Sequence, residues 1–78
     1  MKIQEVIKQL KVIDYKGFQI EKRFGIISST WLIYKVGQDY YLFNIDDDIV
    51  FIEENKFTED ELISKFNGFN FEIDMPIN

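Results

Sequence analysis

Three segments of the chain carry the residue pattern of β-strands. The segment 18–24 alternates two sets of side chains, as a strand with one buried face does. The runs 31–36 and 40–45 are rich in aromatic and β-branched residues, which strands favour. A glycine-containing loop at 37–39 separates these two runs, and glycine can adopt the positive φ that hairpin loops require. We therefore predict an antiparallel meander, with a further strand at 48–53.

The first residues of the chain have a different period. Ile3, Val6, Ile7 and Leu10 follow the spacing i, i+3, i+4, i+7, which places them on one face of a helix. The residues between them are charged or polar. This spacing predicts a short amphipathic helix before the first strand.

A second helix is predicted from the segment 57–62, which reads Phe-Thr-Glu-Asp-Glu-Leu. Thr58 can accept a hydrogen bond from the first free backbone N–H groups, and Glu61 can accept one from the Thr58 amide, which together make a capping box. The flanking Phe and Leu would form its hydrophobic staple. The helix is expected to begin at Thr58, to run for about nine residues and to close at Gly68 in the left-handed region. Residues 69–73 alternate again and predict a last strand or an extended tail that ends near a proline.

These patterns predict an α+β fold in two layers, an antiparallel sheet of three to five strands with two short helices on one face. The chain is short enough to hold one core, so we expect residues 1–78 to form a single small α+β domain. With 46% hydrophobic and 17% aromatic residues, the composition is too apolar for a disordered chain.

Several classes of function are disfavoured by what the sequence lacks. It has no cysteine and no histidine, which removes thiolate nucleophiles, the usual general base and the usual zinc ligands. A calcium loop counted from Asn44 would need Gly at its sixth position and Glu at its twelfth, where the chain has Ile49 and Asn55. We therefore expect that the protein is not an enzyme and that it has no catalytic residue, no cofactor and no metal site.

Nucleic acid is also disfavoured as a ligand. Lys16-Gly17-Phe18 matches the opening of an RNA-recognition signature, but Gln19 and Glu21 depart from it. Nine basic and fourteen acidic residues give a formal charge of −5, which opposes contact with phosphates. We expect no direct binding of DNA or RNA.

The apolar segments do not predict an export signal or a membrane span. The N-terminus has charge every two or three positions, and the longest aliphatic and aromatic run, 49–52, is far below the ~20 residues that a span requires. The expected location is the cytoplasm, without membrane attachment.

Charge is distributed unevenly along the chain. Residues 1–37 carry seven basic and three acidic groups, a net +4, whereas residues 38–78 carry two basic and eleven acidic groups, a net −9. If the acidic segments lie together, their field would steer a basic partner; the alternative is a solvated face that only maintains solubility. The predicted partner-binding residues are the eight carboxylates between positions 46 and 61: Asp46, Asp47, Asp48, Glu53, Glu54, Glu59, Asp60 and Glu61.

Parts of the first 45 residues resemble a known class of phage protein. The N-terminal segment 1–11, Asp14-Tyr15, the run 32–36 and the Tyr40-Tyr41 strand are similar to the small acidic anti-CRISPR proteins. The resemblance implies a helix followed by a three-stranded antiparallel sheet. In that family acidic side chains imitate DNA and occupy the basic channel of an RNA-guided nuclease, a role that would fall here on Asp46–Asp48. A phage-encoded chain would act in the cytoplasm of its host.

Two functions follow as expectations. The first is a small acidic inhibitor that occupies a basic, nucleic-acid-binding site on a larger protein, as anti-CRISPR proteins do. The alternative is a non-catalytic structural or assembly module, in which aromatic residues such as Trp31 and Tyr41 form a homodimer or hetero-complex interface.

Overall fold

The computed structural model describes residues 1–12 and 16–78, and the Asp14-Tyr15 pair that contributes to the resemblance lies outside them. The helices and strands follow in the order α1 (Ile3–Val12), β1 (Gly17–Phe24), β2 (Ile27–Val36), β3 (Asp39–Asn44), β4 (Lys56–Phe57), α2 (Glu59–Lys65) and β5 (Asn70–Ile77).

The five strands form one sheet in the order β4-β3-β2-β1-β5, and every neighbouring pair is antiparallel. The predicted α+β fold, with an antiparallel sheet and two helices, is confirmed. The meander covers β1 to β4 only. After α2 the chain crosses to the far edge, where β5 pairs with β1.

A glycine residue lies in the turn of each of the two hairpins, β1–β2 and β2–β3. Gly25 and Gly37 have φ of 62° and 63°, and each is the first residue of a two-residue loop between paired strand ends. A positive φ at this position is typical of type II′ hairpin turns. The first turn precedes the serine-rich segment 28–30, which therefore belongs to β2 and does not separate it from β1.

Both helices cover the same face of the sheet. The four apolar residues predicted for α1 are buried, as is Leu62 of α2. They pack against side chains from one face of the strands, among them Ile20 and Ile33, which are fully buried. We call this the core face and the opposite one the back face.

The predicted capping of α2 is confirmed. The Thr58 backbone N–H donates to Glu61 Oε1 at 2.9 Å, and the Glu61 N–H donates to Thr58 Oγ1 at 3.1 Å. The helix spans seven residues, two fewer than predicted. Gly68 has φ of 93°, and the Phe69 ring then folds back to 5.9 Å from that of Phe66.

The strand predicted at 48–53 is wrong. This segment is a loop that ends in a single 3-10 turn, Glu53–Asn55. Its backbone groups bond locally, since the Ile52 N–H and the Asn55 side-chain amide both donate to the Val50 carbonyl at 3.0 Å. The edge of β3 pairs instead with β4, which directly follows the 3-10 turn.

Candidate functional site

The segment 45–55, which we call the acidic loop, begins with a tight turn after β3. Asn44 makes this turn: its Oδ1 accepts from the Asp46 N–H and its carbonyl from the Asp47 N–H, both at 3.0 Å. Asparagine and aspartate favour such turns because their short side chains bond to nearby backbone. Asp46 and Asp47 lie in this turn and Asp48 directly follows it, and all three aspartates are exposed.

The other end of the acidic loop is held by the 3-10 turn. Lys56 Nζ lies 2.8 Å from Glu53 Oε1, and this hydrogen bond raises the pKa of Lys56. Glu54 is exposed and makes no ion pair with any residue in the described ranges. Carboxylates therefore lie at both ends of the loop.

Phe51 attaches the middle of the acidic loop to the back face. Its ring centroid lies 5.3 Å from that of Tyr34, 5.1 Å from Tyr41 and 5.4 Å from Phe43, in edge-to-face arrangements. Such geometry is favourable between aromatic rings. Phe43 points away from the helices and is nevertheless buried, so this small aromatic cluster forms a second packed region.

The middle of the acidic loop exposes apolar side chains. Ile49, Val50, Phe51 and Ile52 are 43–50% exposed, and Ile45 next to the turn is 44% exposed. Consecutive exposed apolar residues on a small protein mark an interaction site more often than scattered ones do. Apolar residues with charged groups at both ends also match the usual interface plan of an apolar centre and a polar rim.

The remainder of the back face is polar. The Thr30 hydroxyl donates to Glu21 at 2.7 Å and lowers the pKa of this carboxyl group. Beside it, Arg23 pairs with Glu72 at 2.8 Å. These polar contacts lie on β1 and its neighbours, whereas the aromatic rings of the back face lie on β2 and β3, where Phe51 packs.

The structure divides the eight predicted carboxylates between two regions. Asp46–Asp48, Glu53 and Glu54 belong to the acidic loop, whereas the other three lie in the first turn of α2. There Glu59 pairs with Lys11 at 2.6 Å, and Glu61 makes the capping box, in which hydrogen bonds from Thr58 lower its pKa. Asp60 lines a cleft beside α2 with Lys11 and Tyr40, apart from the acidic loop.

The residues that line a cleft on the core face were not predicted from the sequence as a site. A cleft of about 470 Å³ opens on the core face between the sheet, α2 and the acidic loop, and Lys22, Trp31 and Lys65 are among its lining residues. A signal for it was present: in the alternation of 18–24, lysine occupies a position on the core face, where an apolar residue is expected.

Within residues 1–12 and 16–78, no group of three or more carboxylates is arranged to hold a metal ion. The two helices described are also too short and too polar to cross a bilayer. Comparison with protein-family models, with curated proteins and with solved structures finds no match to this chain.

Proposed function

We propose that this chain is a small inhibitor that binds a basic site on a larger protein through its acidic loop. The observation that supports this proposal is the composition of the loop: four consecutive exposed apolar residues with three aspartates at one end and two glutamates at the other.

The two kinds of residue would contribute differently to binding. Burial of the apolar middle would supply affinity, since about 25 cal/mol is gained per Å² of apolar surface removed from water. The carboxylates would steer a basic partner and would disfavour acidic or neutral ones. Phe51 is the natural anchor, because aromatic residues are enriched among those that dominate binding energy.

The inhibitor proposal extends the likeness to anti-CRISPR proteins. Carboxylates on an exposed turn can occupy positions that phosphates of a nucleic acid would otherwise take on a basic surface. Asp46–Asp48 are suited to this because their turn is fixed by Asn44 and their side chains are exposed. The proposed partner class is therefore a nucleic-acid-binding protein, with an RNA-guided nuclease as its specific example.

A second candidate is the assembly module, which other exposed apolar residues favour. At the tip of the β1–β2 hairpin, Phe24, Ile26 and Ile27 are 61–102% exposed. Trp31 and Tyr41 cannot serve one flat interface together, because Trp31 packs against the core while Tyr41 lies on the back face. A self-association interface would therefore use the hairpin tip or the aromatic back face.

The test is parallel affinity capture from a bacterial lysate with immobilised wild-type protein and a loop variant, Asp46→Asn/Asp47→Asn/Asp48→Asn. A matched control, Glu5→Gln/Asp39→Asn/Glu72→Gln, removes three carboxylates elsewhere, so that both variants carry −5 + 3 = −2. We expect a basic protein to be retained by the wild type and by the control, and to be lost from the loop variant.

Equal retention by all three proteins would overturn the inhibitor proposal. The assembly module predicts a different result, in which the wild type elutes as a dimer or larger species in size-exclusion chromatography. There Ile26→Ser or Tyr41→Ser would restore the monomer, and the loop variant would not.

A further inference from the structure

The cleft on the core face contains charges of both signs that do not pair with one another. Its volume of about 470 Å³ lies within the usual range of small-ligand sites, roughly 300–1,000 Å³. Leu42, Phe57 and Phe66 are among its lining residues, and we call them the apolar floor. Its charged side chains come from two parts of the chain, which we call its walls: lysines on β1 and α2 form one, and carboxylates of the acidic loop form the other.

One wall is cationic. Lys22 lies on the core face of β1, with its Nζ 4.4 Å from the Trp31 ring centroid, 5.3 Å from that of Phe66 and 5.0 Å from that of Phe69. Attraction to ring faces stabilises an ammonium group but leaves its charge uncompensated. No carboxylate in the described part of the chain lies within 4.0 Å of Lys22.

A second lysine lies at the same wall. Lys65, near the end of α2, has its Nζ 5.1 Å from the Phe57 ring centroid and likewise has no ion-pair partner among the described residues. Burial lowers the pKa of Lys22, and the positive charge of Lys65 lowers it further, so the two ammonium groups are close enough to repel. Two converging cations without a counter-ion favour an anion between them.

The other wall is anionic and belongs to the acidic loop. Asp47, Asp48 and Glu54 line the cleft, together with the side chains of Asn44 and Asn55. None of the three carboxylates forms an ion pair within residues 1–12 and 16–78. The cleft is therefore lined by two lysines and three carboxylates that do not pair with one another, together with apolar side chains.

The geometry points to a binding site for a ligand that carries a carboxylate at one end, a cation at the other and a short apolar chain between them. The carboxylate would lie between Lys22 and Lys65, and the cation would face Asp47, Asp48 and Glu54. The apolar chain would cover the aromatic floor. Such a ligand neutralises both walls at once, which neither an anion nor a cation alone can do.

The same charges select among ligands of this class. A free α-amino acid carries an ammonium group next to its carboxylate, where Lys22 and Lys65 would repel it. A lysine at the carboxyl terminus of a peptide lacks this group, because its α-nitrogen is an amide. A free ω-amino acid also lacks it. These two sources share the required chemistry and differ in size.

Three probes of nearly equal size test the proposal. Nα-acetyl-L-lysine has both charges, its carboxamide analogue lacks the carboxylate, and Nα-acetyl-L-norleucine lacks the cation. The binding of each can be followed through Trp31, the only tryptophan in the chain, and through amide shifts in NMR spectra. We expect Nα-acetyl-L-lysine to bind more tightly than either analogue, by up to about fivefold, since one exposed ion pair contributes up to about 1 kcal/mol. Equal affinities, or no binding of any probe, would overturn the proposal.

Two further measurements complete the test. Lys65→Gln should weaken the preference for the acid over the carboxamide, and Asp48→Asn should weaken the preference for lysine over norleucine, whereas Lys8→Gln on α1 should change neither. Unchanged preferences in the first two variants would contradict the assigned site. Tighter binding of 6-aminohexanoate than of Nα-acetyl-L-lysine would identify the ω-amino acid as the preferred source, and the reverse would identify the peptide terminus. No partner protein is required, so failure here is distinguishable from failure of the proposed inhibitor function.

Discussion

Replacement of Phe51 by Ala should destabilise the protein through the back face, far from the main core. Full burial makes a Phe→Ala change cost about 3–5 kcal/mol. Phe51 is 50% exposed and contacts three aromatic rings, so we expect about half of that, roughly 2 kcal/mol. In a domain of 60–100 residues each kcal/mol lowers Tm by about 4–8 °C, which gives a decrease of about 8–16 °C.

Urea denaturation followed by circular dichroism measures this change, and NMR spectra report whether the Phe43 ring becomes exposed. Ile49→Ala is the matched control, because Ile49 has nearly the same exposure and lies in the same loop but has no aromatic ring. Scaled by exposure in the same way, the control should cost about 1 kcal/mol, less than Phe51→Ala. Equal and small effects of the two substitutions would refute the idea that Phe51 holds the acidic loop on the sheet.

Other substitutions test the fold at separate points. Gly17→Ala would place a Cβ in steric conflict with the Ile33 carbonyl oxygen, so thermal unfolding should show a loss of about 3 kcal/mol, and a loss below about 1 kcal/mol would contradict the close approach of β1 and β2. Thr58→Ala removes the cap of α2 and should lower the free energy of unfolding by about 1 kcal/mol in urea titration; an unchanged value would indicate that the capping box is not formed in solution. Burial, with nearby Glu21, raises the pKa of Asp74. Its ionisation therefore disfavours the folded state as pH rises through the aspartate range, near pH 4. Asp74→Asn should stabilise the protein at pH 7 but not at pH 3, and an equal effect at both pH values would refute this sign.

Local sequence patterns were sufficient to predict the elements that depend only on residues close together in the sequence. The helix spacing of α1, the glycine loop between β2 and β3 and the capping box of α2 each depend on residues close together in the sequence, and each is present. The strand prediction for 48–53 was wrong because four consecutive apolar residues fit a strand pattern whether or not the segment pairs with a neighbouring strand. Whether they pair depends on the edge of β3, which β4 occupies.

The contacts between segments that are distant in the sequence could not be predicted from the same patterns. The position of β5 beside β1 depends on where α2 directs the chain, and no residue of β5 specifies it. The grouping of the carboxylates was predicted only in part, because Glu59 and Glu61 are engaged by Lys11 and Thr58. The cleft around Lys22 required three distant segments to meet, although a lysine on a core-facing position was visible as an anomaly.

The central claim is that the acidic loop binds a basic partner, and the salt dependence of that binding tests it most directly. The dissociation constant of the captured complex would be measured by calorimetry at about 0.05 and 0.3 M NaCl, for the wild type and for the Asp46/Asp47/Asp48 triple Asn variant. Because salt screens exposed charges, we predict at least about tenfold weaker binding of the wild type at the higher salt concentration, and a much smaller change for the variant, which should already bind weakly. A wild-type affinity that is insensitive to salt and unchanged in the variant would contradict the claim.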